Sequence, residues 1–176
     1  TPAMTAEAAV GSVGVLGCSN TATATIGYHR VSDAGVLWYA DESDNPLADY
    51  WGMDIVEWAD VDGAGRAAWA ALDSDLEQNP DTEAIWFEVC VRAETPGSTA
   101  TVDVIVAEIL RRAPGVTIYA SPLDDTPTCT VGDPELSADY VDHLVATGRA
   151  VRGPIMSPLP ADLVKGCHAS GDGITL

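Results

Sequence analysis

The order of strand-like and helical segments along the chain is the feature that most constrains its fold. Residues 84–91 read AIWFEVCV, a β-branched and aromatic run typical of a buried strand. Residues 99–112 have apolar side chains at helical spacing and end in two arginines before Pro114 and Gly115. Residues 116–120 are strand-like again. A strand, a helix and a second strand in this order are typical of a parallel sheet.

The same alternation extends over the rest of the chain. Further strands are predicted at 12–17, 36–40 and 151–156, and further helices at 20–29, in two pieces within 55–78, and at 134–147. No repeat or linker interrupts this order, and 176 residues are most simply one domain. We therefore expect an α/β sandwich built around a parallel sheet of five strands, with residues 1–11 as an N-terminal extension and residues 12–176 as the single domain.

The charge of the chain restricts its partners. It has 27 acidic residues against 8 basic ones, a formal net charge of -19. Such a charge repels nucleic-acid phosphates and anionic lipid, so we expect binding to neither. No apolar run approaches the roughly 18 residues that a membrane span needs, so no membrane insertion is expected. An acidic surface suits high salt or an exported protein, and its simplest interpretation is a solvated surface on a monomer.

The cysteines and the N-terminal residues indicate an oxidising compartment. TPAMTAEAAV lacks the basic and apolar parts of a signal peptide but is similar to a mature end from which one has been removed. The four cysteines, at 18, 90, 129 and 167, form no CxxC pair, which favours two disulfides over a metal site, with free thiols as the alternative. The acidic runs lack calcium-loop spacing. We expect a secreted or extracytoplasmic protein without a metal.

Ser19 directly follows the first predicted strand, in the run GCSN at 17–20. A serine here is either the N-cap of the next helix or a nucleophile at the carboxyl edge of the sheet. A nucleophilic serine needs a base, usually histidine. His29 belongs to the first helix and His143 to a later amphipathic one, whereas His168 lies in the C-terminal loop, at the edge where Ser19 is expected. The sequence therefore favours His168 as the base.

These residues resemble the motifs of the SGNH (GDSL-like) hydrolase family. GCSN matches the block with the nucleophile, Ser19, and GCHASGDG matches the block with the base, His168. Gly52, in YWGMDIVEWA, matches the glycine whose N–H helps to form the oxyanion hole. The resemblance implies a three-layer α/β/α sandwich with a flavodoxin-like sheet. It also implies a serine esterase or deacetylase that cleaves small acyl esters, including esters of carbohydrates, and needs no cofactor.

The sequence departs from the family at two positions. Where the family has GxND, this chain has CVRA at 90–93, so Arg92 replaces the asparagine that donates to the oxyanion. Arg92 either donates to that oxyanion, binds a substrate carboxylate or pairs with Glu94. The triad acid normally stands three residues before the histidine, but Lys165 occupies that position. Either Asp162 reaches His168 from a longer loop, or a backbone carbonyl orients His168 in a dyad.

A flavodoxin-like strand order also predicts how the cysteines pair. In that order the first and third predicted strands are neighbours, which brings Cys18 next to Cys90. The loops after the last two strands adjoin as well, and they contain Cys129 and Cys167. A buried, free Cys18 is the alternative. Two other functions stay open, a ligand-binding domain of the same fold without catalysis and an exported structural domain.

Overall fold

The computed structural model describes residues 11–31, 36–37, 50, 52–125, 129–155, 164–165 and 167–169. Within these residues it has five helices and six strands. The strands are β1 (Ser12–Leu16), β2 (Thr82–Val89), β3 (Thr117–Pro122), β4 (Val151–Arg152), β5 (Val164–Lys165) and β6 (His168–Ala169). The helices are α1 (Ser19–Val31), α2 (Ile55–Ala59), α3 (Arg66–Gln78), α4 (Thr99–Arg112) and α5 (Pro134–Ala146). The helices predicted within 55–78, at 99–112 and at 134–147 are confirmed.

The main sheet is parallel and has four strands in the order β1-β2-β3-β4. The α/β class is therefore confirmed, but the predicted count of five strands is wrong. The segment predicted as the second strand contributes one parallel bridge, between Leu37 and Val13, and its residues 38–40 lie outside the described residues. This bridge lies beyond β1, on the side away from β2, so the chain winds outward in both directions from β1.

The predicted strand at 151–156 is also shorter than expected. β4 has only two residues, after which the Gly153 N–H donates to the Ala120 carbonyl at 2.7 Å. Pro154 has no N–H and cannot extend the ladder with β3. Residue 156 lies outside the described residues.

The hydrophobic core lies on one face of the sheet. Alternate residues of the strands, including Leu16, Phe87 and Ile118, pack there against apolar side chains of α2 to α5. Trp58 and Trp69 meet edge to face within this core, with their ring centroids 5.1 Å apart. Two buried hydrogen bonds satisfy their indole N–H groups, from Trp58 to the Gly17 carbonyl and from Trp69 to the Trp58 carbonyl.

Helix α1 lies over the opposite face of the sheet. The alternation of β2 directs Trp86 and Glu88 to this face, where the Thr21 hydroxyl of α1 contacts Glu88. Further along α1, Ala24 and Tyr28 line an apolar groove with Trp86. None of the helices in the described part of the chain is long and apolar enough to cross a membrane.

Candidate active site

Ser19 is the first residue of α1 and follows β1 after a turn of two residues, Gly17 and Cys18. The turn is tight: a Cβ atom on Gly17 would lie 2.1 Å from the Thr21 hydroxyl oxygen and 3.0 Å from the Glu88 Cβ. Because only glycine leaves this space open, the chain passes directly from strand to helix and presents Ser19 at the carboxyl edge of the sheet.

Ser19 and His168 form a hydrogen bond. The Ser19 Oγ lies 2.6 Å from the His168 Nε2, across 149 positions of sequence. This distance is within the range at which an imidazole can accept the proton of a serine hydroxyl. Among the described residues, His168 is the side-chain partner of the Ser19 hydroxyl, which is not bonded to the α1 backbone as an N-cap would be.

A short antiparallel hairpin presents His168 at this edge. His168 begins β6, which pairs with β5 so that His168 stands opposite Lys165, and β6 packs against α1. The other histidines lie elsewhere. His143 bonds the Asp103 carboxylate at 3.1 Å, and His29 meets the Tyr28 ring edge to face. The structure thus brings Ser19 together with the histidine that the sequence favours.

Two disulfides connect the segments around this pair. Cys18, immediately before Ser19, is bonded to Cys90 after β2, with 6.1 Å between the Cα atoms. Cys167, immediately before His168, is bonded to Cys129 in the loop after β3, with 4.4 Å between the Cα atoms. Both predicted pairs are therefore present, and Ser19 and His168 each directly follow a cross-linked cysteine.

Arg92 contacts the loop that contains Gly52. Its guanidinium donates to the Gly52 carbonyl oxygen and lies 3.7 Å from the carboxylates of Asp54 and Glu57. Asp54 caps α2 by accepting from the N–H groups of Val56 and Glu57. The guanidinium is thus held between this cap and Gly52.

The Gly52 loop is also attached to the end of β2, and it is open on its outer side. The Ile55 N–H donates to the Cys90 carbonyl at 3.0 Å. A Cβ atom on Gly52 would meet nothing within 4 Å, so there is free space beside this glycine. Asp162, the candidate triad acid, lies outside the described residues.

Thr21 and Glu88 lie next to the turn that contains Ser19, and neither residue belongs to the motifs identified in the sequence. Glu88 is fully buried, and its carboxylate accepts the hydroxyl of Thr21, which itself accepts the Cys18 N–H at 3.1 Å. Burial raises the pKa of Glu88 to about 7, and the negative charge of Asp124 raises it as well, whereas the Thr21 hydrogen bond lowers it. The sequence signal for this group is a single carboxylate inside the apolar run AIWFEVCV.

The cluster of Cys18, Glu88 and Cys90 lacks the free thiolates that would bind a metal ion. The ligand atoms of Cys18, Glu88 and Cys90 lie within 4.8 Å of one another, and they are the group of potential metal ligands found among the described residues. However, the two sulfurs are joined in a disulfide, and a metal needs the free thiolate.

Comparisons with known proteins leave the family of the chain open. No protein-family profile matches it, and no curated protein matches it. Among solved structures it is similar to a radical SAM methyltransferase from Sphaerobacter thermophilus, with 17% sequence identity and a TM-score of 0.39. That similarity covers 70% of this chain and 33% of the other, so this chain spans about a third of that protein. A similarity of this size has no bearing on the activity of this chain.

Proposed function

We propose that the protein is a serine hydrolase of the SGNH (GDSL-like) type, an esterase or deacetylase that cleaves small acyl esters. The hydrogen bond of 2.6 Å between the Ser19 Oγ and the His168 Nε2, at the carboxyl edge of a parallel sheet, is the observation that carries this proposal. The resemblance of the motifs around Ser19, Gly52 and His168 supplies the class of substrate, including acyl groups on carbohydrates.

The proposed reaction has two steps. In the first, the Ser19 oxygen forms a bond to the ester carbonyl carbon while His168 takes the serine proton. The bond to the alcohol then breaks, and His168 gives its proton to the leaving oxygen. In the second, water attacks the acyl-enzyme, His168 takes a proton from the water and returns it to Ser19, and the carboxylic acid leaves. No cofactor takes part.

Backbone N–H groups are proposed to hold the oxyanion. The first turn of α1 has N–H groups without helical partners, and the Ser19 N–H is one of them. Gly52 is proposed to supply the second N–H, with free space beside it for the substrate. The contact of Arg92 with the Gly52 carbonyl supports a role in holding this loop, in place of direct donation to the oxyanion. Asp162 remains the proposed triad acid, with a Ser–His dyad as the alternative.

The proposed fold and location follow from the same features. Parallel strands flanking β1 on both sides, with helices over both faces, support a flavodoxin-like three-layer sandwich. Two disulfides support a secreted or extracytoplasmic protein, because thiols stay reduced in the cytosol.

The test is hydrolysis of p-nitrophenyl acetate together with labelling by a fluorophosphonate probe. The unmodified protein is expected to turn over the ester and to carry the probe on Ser19. Ser19→Ala and His168→Ala are expected to lose both signals by a factor on the order of a thousand. Ser74→Ala, at an exposed position of α3, and His143→Ala are the matched controls and are expected to keep both.

The opposite result has a definite meaning. If the unmodified protein shows no turnover and no labelling, the hydrolase proposal is rejected, and a domain of the same fold that binds without catalysis is favoured. Labelling that persists in Ser19→Ala would move the nucleophile to another residue.

A further inference from the structure

Glu88 is a charged residue type within a buried strand. β2 is buried from residue 84 to its end, and Phe87 and Val89 on either side of Glu88 are fully buried. A carboxyl group in such a position needs partners, since burying it otherwise costs several kcal/mol. One of its oxygens, Oε1, has no hydrogen-bond partner among the described residues, whereas Oε2 is bonded to Thr21. The group is thus retained at a cost to stability, which points to a use at this position.

Glu88 contacts the first turn of α1, which begins at Ser19, as well as Cys90 after β2 and Asp124 after β3. Its Oε2 accepts the Thr21 hydroxyl, and the same Thr21 oxygen accepts the N–H of Cys18. The sulfurs of Cys18 and Cys90 each lie 3.7 Å from this Oε2. Gly17 has no side chain to displace the Thr21 hydroxyl. Glu88 is therefore connected to the peptide before Ser19 through one hydroxyl and rests against the disulfide that holds the same peptide.

We propose that Glu88 and Thr21 are positioning residues that fix the Cys18 peptide and thereby aim the Ser19 hydroxyl at His168. The inference rests on the proposed function and adds to it a support beneath the nucleophile. Thr21 has one hydroxyl proton, and it goes to the Glu88 carboxylate, so its oxygen stays free to accept the Cys18 N–H. Without the carboxylate the hydroxyl is free to rotate, and without the hydroxyl the Cys18 N–H loses its acceptor.

Two deletions of this connection test the proposal. Thr21→Val keeps the shape of the side chain but removes the hydroxyl, and Glu88→Met keeps the length but removes the acceptor. Each is expected to lower kcat for p-nitrophenyl acetate by a factor on the order of ten to a hundred, with KM changed less than about twofold, because misplacing a nucleophile affects the chemical step. The double variant is expected to lose no more than the larger single loss, because both changes break the same connection.

Rescue and stability separate positioning from a merely structural role. Thr21→Ser and Glu88→Gln keep the hydroxyl and the acceptor and are expected to recover most of the rate. Glu88→Met is expected to unfold at a higher temperature at pH 8 than the unmodified protein while its kcat is lower, since methionine removes a buried carboxylate. A structural role alone would lower activity and stability together.

Thr25→Val is the matched control. Thr25 is another buried threonine of α1, one turn further on, and its hydroxyl bonds the Thr21 carbonyl at 2.8 Å. It is expected to leave kcat unchanged. If Ser19 is labelled and the ester is cleaved, but Thr21→Val and Glu88→Met behave like Thr25→Val, the positioning role is wrong and the hydrolase stands. If the unmodified protein shows neither labelling nor turnover, both proposals are overturned.

Discussion

At the scale of single residues, Arg92 stands where the SGNH resemblance predicts an asparagine, and its contacts differ from those that an asparagine can make. The asparagine expected there has a short side chain that reaches only its neighbourhood. The longer guanidinium instead spans to the Gly52 carbonyl and to two carboxylates at the start of α2. Arginine suits this task because its planar fork donates in several directions at once. The position thus acts on the neighbouring glycine loop.

Arg92→Ala is expected to lower kcat/KM for p-nitrophenyl acetate by a factor on the order of ten to a hundred, because the Gly52 loop loses its clamp. The free energy of unfolding is expected to fall by less than about 1 kcal/mol, since the side chain is 48% exposed and its ion pairs are screened. Arg149→Ala, with 44% exposure and a bond to Asp103, is the control in both urea unfolding and kinetics. Equal kinetics for the two variants would exclude the clamp.

The sequence is informative about Ser19 and His168 but not about what supports them. Both residues lie in short runs of small residues after predicted strands, a local signal that needs no knowledge of packing. The contact of Thr21 with Glu88 joins residues 67 positions apart and depends on which face of β2 lies under α1. No local pattern contains that information. The contact of Arg92 with the Gly52 carbonyl likewise joins residues 40 positions apart.

At the scale of elements, prediction succeeds where the end signals are strong. Ser98 caps α4 with a capping box, Arg111 and Arg112 occupy its last turn, and its bounds agree with the prediction. Prediction fails where the pairing between strands determines the length of an element. β4 is short because Pro154 ends the ladder, and the strand predicted at 36–40 is represented by a single bridge at Leu37. The short β4 and the single bridge at Leu37 do not depend on hydrophobicity, so the hydrophobic pattern of the sequence did not indicate them.

The β5–β6 hairpin that presents His168 has two residues in each strand, too few to be stable alone. Within the part of the chain that the structure describes, it is attached by its contact with α1 and by the bond from Cys167 to Cys129. The double variant Cys129→Ser/Cys167→Ser is expected to slow labelling of Ser19 by the fluorophosphonate roughly tenfold or more, because His168, the proposed base, loses its orientation.

The same variant is expected to lose about 3–4 kcal/mol of unfolding free energy, the loop-entropy estimate for cysteines 38 positions apart. Urea unfolding measures this loss, and labelling is compared at a urea-free condition where both proteins are folded. Unchanged labelling in a destabilised variant would show that the contact with α1 alone orients His168.

At the scale of the whole molecule, the excess of acidic residues reaches into the interior. Asp75 on α3 and Glu88 on β2 are both buried, and burial raises the pKa of each to about 7. Glu108 is the opposite case, because its hydrogen bond to Arg111 and its contacts with Arg112 hold its pKa below the ordinary value. The molecule therefore contains carboxyl groups whose contributions to stability respond to pH in opposite directions.

The pH dependence of stability follows from these signs. Asp75 and Glu88 keep their protons in the folded protein up to about pH 7, but in the unfolded chain they lose them near 3.8 and 4.5. The folded state thus binds more protons in this window, so the free energy of unfolding falls as pH rises from about 4 to 7. Glu108 acts in the other direction below its unfolded value of 4.5. We therefore expect maximum stability on the acidic side of neutrality, near the unfolded pKa values of these carboxyl groups, about 4 to 4.5.

Glu88→Gln is expected to flatten this fall. The Glu88 carboxyl is 0% exposed, and its pKa is raised from 4.5 to about 7. This shift corresponds to a fall in the free energy of unfolding on the order of 3 kcal/mol between acidic and neutral pH. Glutamine cannot ionise, so the variant should match the unmodified protein near pH 4 and exceed it at pH 8. Thermal unfolding at several pH values measures the difference, with Glu77→Gln, an exposed carboxyl on α3, as the control. A pH-independent difference for Glu88→Gln would mean that this carboxyl has the same pKa in the folded protein as in the unfolded chain, despite its burial beside Thr21 and Asp124.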